Sequence, residues 1–146
     1  MKPITQEWVD KAEGDWVTAS REYRAKKQPN HDATCFHGQQ CIERYLKAIL
    51  IERGTPFPKM HDLNELQKLF QPADLALAAE SSNFKRIGDF AVAVRYPGPL
   101  MRKPDAAFAL LICARVRKHC RKLLGLATQA RAAAKKSTRT KRAQRK

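Results

Sequence analysis

Apolar residues recur at intervals of three and four along most of this chain, and no stretch of useful length alternates between apolar and polar. That periodicity matches the helical turn and not the two-residue repeat of a strand, so it restricts the chain to an all-α fold. Trp8, Ala12, Trp16, Ala19 and Tyr23 mark the apolar face of a first helix, with Thr5 as its expected N-cap and a break at Gln28-Pro29-Asn30-His31. A second helix is predicted over about 32–53, striped by Cys35, Phe36, Gln39, Ile42, Leu46, Ile49 and Leu50 and ended by Gly54. Pro56 and Pro58 force an extended connection. Asp62, with Glu65 three residues on, then caps a short helix carrying Leu63, Leu66 and Leu69. Pro72 ends that helix and suits the first position of another. Residues 73–93 read as helical with an interruption near Ser81-Ser82-Asn83, and Phe84, Ile87, Ala91 and Val94 face inward. Arg95-Tyr96-Pro97-Gly98-Pro99 is a firm stop, after which a last helix runs from Pro104-Asp105 to Leu124, with Gly125 as terminator. Four or five helices joined by short connections predict an antiparallel bundle.

Charge divides the chain in two. Of 29 Lys and Arg and 14 Asp and Glu, residues 1–89 hold equal numbers of each sign, whereas residues 90–146 carry the whole net +15, with Asp105 as their one acid. About half of that excess falls in 127–146, which has eight basic residues, no acid and no large apolar side chain to bury. The expected organisation is therefore a helical domain over 1–126 and a disordered basic tail over 127–146. Three classes of protein are poor fits. The longest apolar run, Ala106–Ala114, is nine residues, against about 20 for a membrane span. The N-terminus shows no export signal. Cys35, Cys41, Cys113 and Cys120 contain no Cys-x-x-Cys pair and read as reduced, mostly core thiols of a cytoplasmic protein.

Four segments carry a family resemblance. Trp8-Val9-x-Lys11-Ala12-Glu13-x-Asp15 is followed by Cys35-Phe36-His37-x-Gln39-Gln40-x-x-Glu43-Arg44-x-x-Lys47-Ala48, then by His61-Asp62-Leu63 and Arg95-Tyr96-Pro97. In this order they resemble a small, stand-alone prokaryotic HEPN domain (higher eukaryote and prokaryote nucleotide-binding) across roughly residues 5–125. The resemblance implies a four- or five-helix bundle, often a homodimer. It also implies either association with a minimal nucleotidyltransferase or, in another branch, metal-independent RNase or toxin activity. The RNase branch carries an Arg, four to six residues, then His in the later helices. Here Arg115 and His119 have only three residues between them, Arg24 and His31 straddle the early break, and no His follows Arg95 before His119. With no paired His, proton transfer has no evident agent, so the sequence assigns no catalytic residue and leans away from an enzyme.

The remaining candidates each have a plain and a functional reading. Glu43 and Lys47 stand in the favourable i,i+4 order for a surface ion pair of about 0.2–0.5 kcal/mol. The functional reading instead brings Lys47 and Arg95, with Tyr96, onto a phosphate. Gln39, Gln40, His61 and Asp62 complete the family motifs; Asp62 has a capping role, and Tyr96 can pack on the core. His37 and Cys41 have zinc-like spacing but lack a second pair, so neither a metal nor a cofactor is expected. Arg117, Lys118, Arg121 and Lys122 on the last helix run into Lys135, Lys136, Arg139, Lys141, Arg142, Arg145 and Lys146 of the tail. Together they predict non-specific RNA or DNA contact through counterion release. The leading expectation is a non-catalytic protein acting by association: a homodimer, a nucleotidyltransferase partner and nucleic acid. The alternatives are a metal-independent endoribonuclease and a nucleotide-binding module.

Overall fold

A computed structural model describes residues 1–72 and 74–126. These form six helices: α1 (Pro3–Arg24), α2 (His31–Glu52), α3 (Leu63–Gln67), α4 (Leu75–Ala78), α5 (Ser81–Ala93) and α6 (Lys103–Leu123). No strand occurs among the described residues. Two of the six are short pieces within the connection between α2 and α5, which accounts for the excess over the four or five expected. The predicted basic tail, including Lys135, Lys136, Arg139, Lys141, Arg142, Arg145 and Lys146, lies outside the described residues.

The long helices alternate in direction. Thr34 on α2 bonds to Ala19 on α1, while the Lys2 backbone N–H reaches Glu52 at the other end of α2, so these two helices are antiparallel. Gly38 and Tyr45 on α2 meet Ala109 and Arg121 on α6, so α6 runs parallel to α2 and antiparallel to α1, while Glu80 meets Arg115 and Arg86 meets Asp105, which sets α6 antiparallel to α5. α2 is the central helix, packed against α1, α3, α5 and α6. α6 passes α2 at Gly38, where a β-carbon would stand 3.6 Å from the Ala109 carbonyl oxygen, an ordinary contact distance.

The core follows from that centrality. Nearly every residue from Cys41 to Leu50 is buried, and Val9, Ala12, Leu63, Leu66, Leu77, Phe84, Ile87, Ile112, Cys113, Val116 and Cys120 close around it. Helix ends are local. Asp62 accepts from the backbone N–H groups of Asn64 (2.9 Å) and Glu65 (3.2 Å), as its sequence position suggests. Gly54 and Gly125 take positive φ (70° and 69°) and donate to Ile51 and Lys122, so each closes its helix with left-handed geometry. Two expected starts move. Thr5 is fully buried inside α1, which begins at Pro3, where the missing proline N–H would have had no helical partner anyway. Pro72 does not open the next helix, which starts at Leu75 behind Asp74.

Candidate functional site

Because α2 is surrounded, the polar residues of its signature cannot all reach solvent, and the fold satisfies them in three groups. In the first, Asp15 projects from α1 onto α2, where it meets His37 Nδ1 at 2.8 Å and accepts from Arg44 Nη1 at 2.5 Å. Asp15 stands three residues after Ala12 and four before Ala19, both fully buried, so it was bound to face inward. An inward carboxylate needs partners.

The second group joins three helices. Glu13 accepts two parallel bonds from Arg117, both 2.8 Å, a third from Arg121 at 3.3 Å and one from the Tyr45 hydroxyl. The Arg117 guanidinium also lies 5.0 Å from the Trp16 ring centre. Burial opposes the charge on Glu13, but Arg117, Tyr45 and Arg121 overcome it and hold the carboxyl below its usual range. Burial, then the bond to Glu13, pushes the Tyr45 hydroxyl up. Arg117 and Arg121, expected as nucleic-acid contacts, are thus committed to a carboxylate inside the domain. Lys118 and Lys122, on the same helix, are exposed. Arg115 makes a comparable bidentate pair with buried Glu80, both bonds 2.9 Å, so the nearest approach to an Arg–His pair, Arg115 with His119, begins from an arginine already in use.

The third group centres on Glu43, whose side chain is 4 % exposed. Lys47 Nζ donates to it at 2.8 Å and His61 Nδ1 lies 2.9 Å from the same oxygen. Gln39 donates to the other oxygen at 3.2 Å and Gln40 at 3.5 Å, and Gln40 also donates to Gln39. This corrects the expected surface pair: Lys47 is 6 % exposed and its ammonium sits 5.6 Å from the Trp8 ring centre and 5.9 Å from that of Phe57. The physical reason is that Trp8 of α1, with Phe57 and His61 of the extended connection, covers this side of α2. Periodicity along α2 alone gives no sign of that cover.

Arg95 is exposed at the end of α5, with its guanidinium 5.7 Å from the Phe36 ring centre. It borders two clefts. One, about 750 Å³, opens over the start of α2 and includes His31, Phe36, His37 and Met101. The other, about 470 Å³, lies between α2, α3 and α5 and is lined by Gln39, His61, Asp62, Lys85 and Asp89. The structure therefore brings Gln39, His61, Asp62 and Arg95 to one cleft, which Lys47 does not line. Tyr96, expected to pack on the core or assist a phosphate site, is 68 % exposed and lines neither cleft. No group of three or more metal-ligating side chains occurs among the described residues. His37 is engaged by Asp15, while burial and a bond to Cys113 push the Cys41 thiol up.

Fold and site together define an α-helical bundle whose central helix carries buried polar clusters and whose short motifs converge on one surface cleft. The HEPN domain family model matches residues 5–123, and the chain belongs to that family. Among solved structures, the crystal structure of an archaeal HEPN homologue is similar at a TM-score of 0.62 and 20 % identity, covering 84 % of this chain and 98 % of that one. No curated protein matches. No described helix is long and apolar enough to cross a membrane.

Proposed function

We propose that this HEPN chain works by association: it pairs with a second copy of itself and contacts polyanions through its basic C-terminal region. The observation that carries this reading is the outer face of α6. Ala106, Ala109, Ile112, Cys113, Val116 and Cys120 face the core, Arg117 and Arg121 face α1, and Arg115 faces α5. What is left outward is Ala107, Leu111, Ala114, Lys118 and Lys122, and Leu111 is 56 % exposed. The first half of that face is small and apolar, suited to close packing against another helix, and HEPN domains commonly dimerise. Its second half is cationic and leads directly into the eight basic residues of 127–146.

Light scattering on the full chain tests the first part. A dimer that Leu111→Glu converts to a monomer supports it, and a wild-type monomer, or an unaffected dimer in the variant, overturns it. Salt titration of duplex binding tests the second: a chain ending at Leu126 loses up to about 7 from the log–log slope if the tail supplies the contacts, and an unchanged slope refutes it. A minimal nucleotidyltransferase is the heterologous partner in this reading, supported by its association with other members of the family, and co-purification of the two chains tests it.

A further inference from the structure

One end of the bundle carries charge that the fold does not balance. There α1 and α5 finish while α2 and α6 begin, and Asp32 on α2 fixes the approach to α6 by accepting from the Met101 backbone N–H at 2.7 Å. The two chain segments that build this end, 22–32 and 94–105, hold six cations, Arg24, Lys26, Lys27, Arg95, Arg102 and Lys103. Against them stand three carboxylates, all engaged. Glu22 accepts from the Asn30 backbone N–H at 3.3 Å, Asp32 from Met101, and Asp105 holds the start of α6 and lies 3.9 Å from Arg86. All six cations are exposed, and no guanidinium or ammonium among them meets a carboxylate of the described residues. By contrast, Arg44, Arg53, Arg86, Arg115, Arg117 and Arg121 are each paired with one.

These cations surround the cleft of about 750 Å³ over the start of α2. Arg95 lines it, Lys26 and Lys27 run into it at Gln28, and Arg102 and Lys103 lead away from it at Met101. Between them the walls are apolar: Pro29, Phe36, Val94, Leu100 and Met101. What those walls can receive is decided by Phe36. The Arg95 guanidinium lies 5.7 Å from its ring centre, and the ring of His37, itself held by Asp15, meets it edge to face at 5.4 Å. No phenyl, phenol or indole face is therefore left in the cleft for a nucleobase to stack on. The surfaces that remain are aliphatic, with Leu100 77 % exposed and Met101 adaptable in shape. A cationic rim around an aliphatic notch is complementary to a chain that carries carboxylates beside branched apolar side chains. The carboxylates suit the arginine fork, and their charge steers the encounter.

We propose that this end of the bundle docks a short acidic segment of another protein, with an aliphatic side chain seated among Pro29, Val94, Leu100 and Met101 and carboxylates facing Arg95, Lys26 and Lys27. The surface is distinct from the basic C-terminal region. The 21 residues of α6 separate the two by about 31 Å, so docking here requires neither the tail nor the outward face of α6.

The test uses the full chain and three probes: a short peptide of aspartate and glutamate with two central leucines, the same peptide with serines in their place, and a single-stranded DNA of equal charge. Binding is read by the methyl NMR signals of Leu100 and Met101, which report on the cleft alone, and by calorimetry. The leucine peptide is expected to move both signals and to bind more weakly as salt rises. The serine peptide and the DNA are expected to leave the signals in place. Leu100→Ser, at an exposed position, should weaken the leucine peptide about fivefold or more, by loss of apolar contact. The double variant Lys26→Gln/Lys27→Gln should weaken it about threefold or more. Lys11→Ala, on the exposed side of α1, should bind as the wild type does. Leu100 and Met101 signals that the leucine peptide does not perturb overturn the proposal, as does a serine peptide of equal affinity or unchanged affinity in both cleft variants. A DNA that moves the same signals at equal or lower concentration overturns it too and assigns the cleft to nucleic acid.

Discussion

Replacing Glu13 by Gln keeps the shape of the side chain and removes the charge that two arginines share. Arg117 and Arg121 are 13 % and 17 % exposed and Glu13 is 26 % exposed, so the cluster lies between the surface and interior limits. Exposed pairs contribute about 0.2–1 kcal/mol, and breaking a buried pair costs about 3–5 kcal/mol. An intermediate site that keeps its hydrogen-bonding shape should lose about 2 kcal/mol, which for a domain of this size lowers Tm by about 8 °C. Urea denaturation followed by circular dichroism measures the loss. The pH dependence has a definite sign. Because the folded-state carboxyl is held below its usual value, its stabilisation is present above the unfolded carboxylate range and is lost as pH falls through the folded value. The gap between wild type and variant should therefore be full near neutrality and close on acidification. A second readout follows from Arg117, which loses its bidentate carboxylate: duplex binding by the variant should gain up to about 1 in salt slope. A loss below about 0.5 kcal/mol at neutral pH, or a gap that persists unchanged in acid, would refute the argument that Arg117 and Arg121 are structural.

Two further outcomes are expected. Asp62→Ala removes both bonds to the start of α3 and should cost about 1 kcal/mol in thermal or urea unfolding. The four cysteines are buried and free, and burial pushes the Cys35 thiol up to about 12 and raises those of Cys41 and Cys120. All four should resist a thiol reagent at neutral pH until denaturant is added, and rapid labelling of the native chain would contradict this.

The helices were legible because each is written in local terms. Spacing of three and four marks α1, α2, α5 and α6, and Asp62, Gly54 and Gly125 announce their ends through hydrogen bonds a few residues long. The start expected at Thr5 was misplaced because the chain has already turned helical at Pro3, and the start expected at Pro72 falls instead at Leu75. The site was legible in part. The family motifs named Gln39, His61, Asp62 and Arg95, and the fold gathers them at one cleft. Lys47, given to the same site, went elsewhere because its position on α2 says nothing about what covers α2.

The sequence by itself determined that the chain is helical, where most of its helices begin and end, and that its excess positive charge lies after residue 89, since each of these depends on neighbours within a turn or on simple counting. Tertiary structure alone decided which charges remain available. Arg115, Arg117 and Arg121 look like part of one basic run, yet they pair with Glu80 and Glu13, residues 35 to more than 100 positions away. Glu43 and Lys47 look like a surface pair and are buried beneath Trp8 of α1 and the connection that precedes α3. A charge's role depends on its distance from opposite charges and from water, and both are set by how the helices pack.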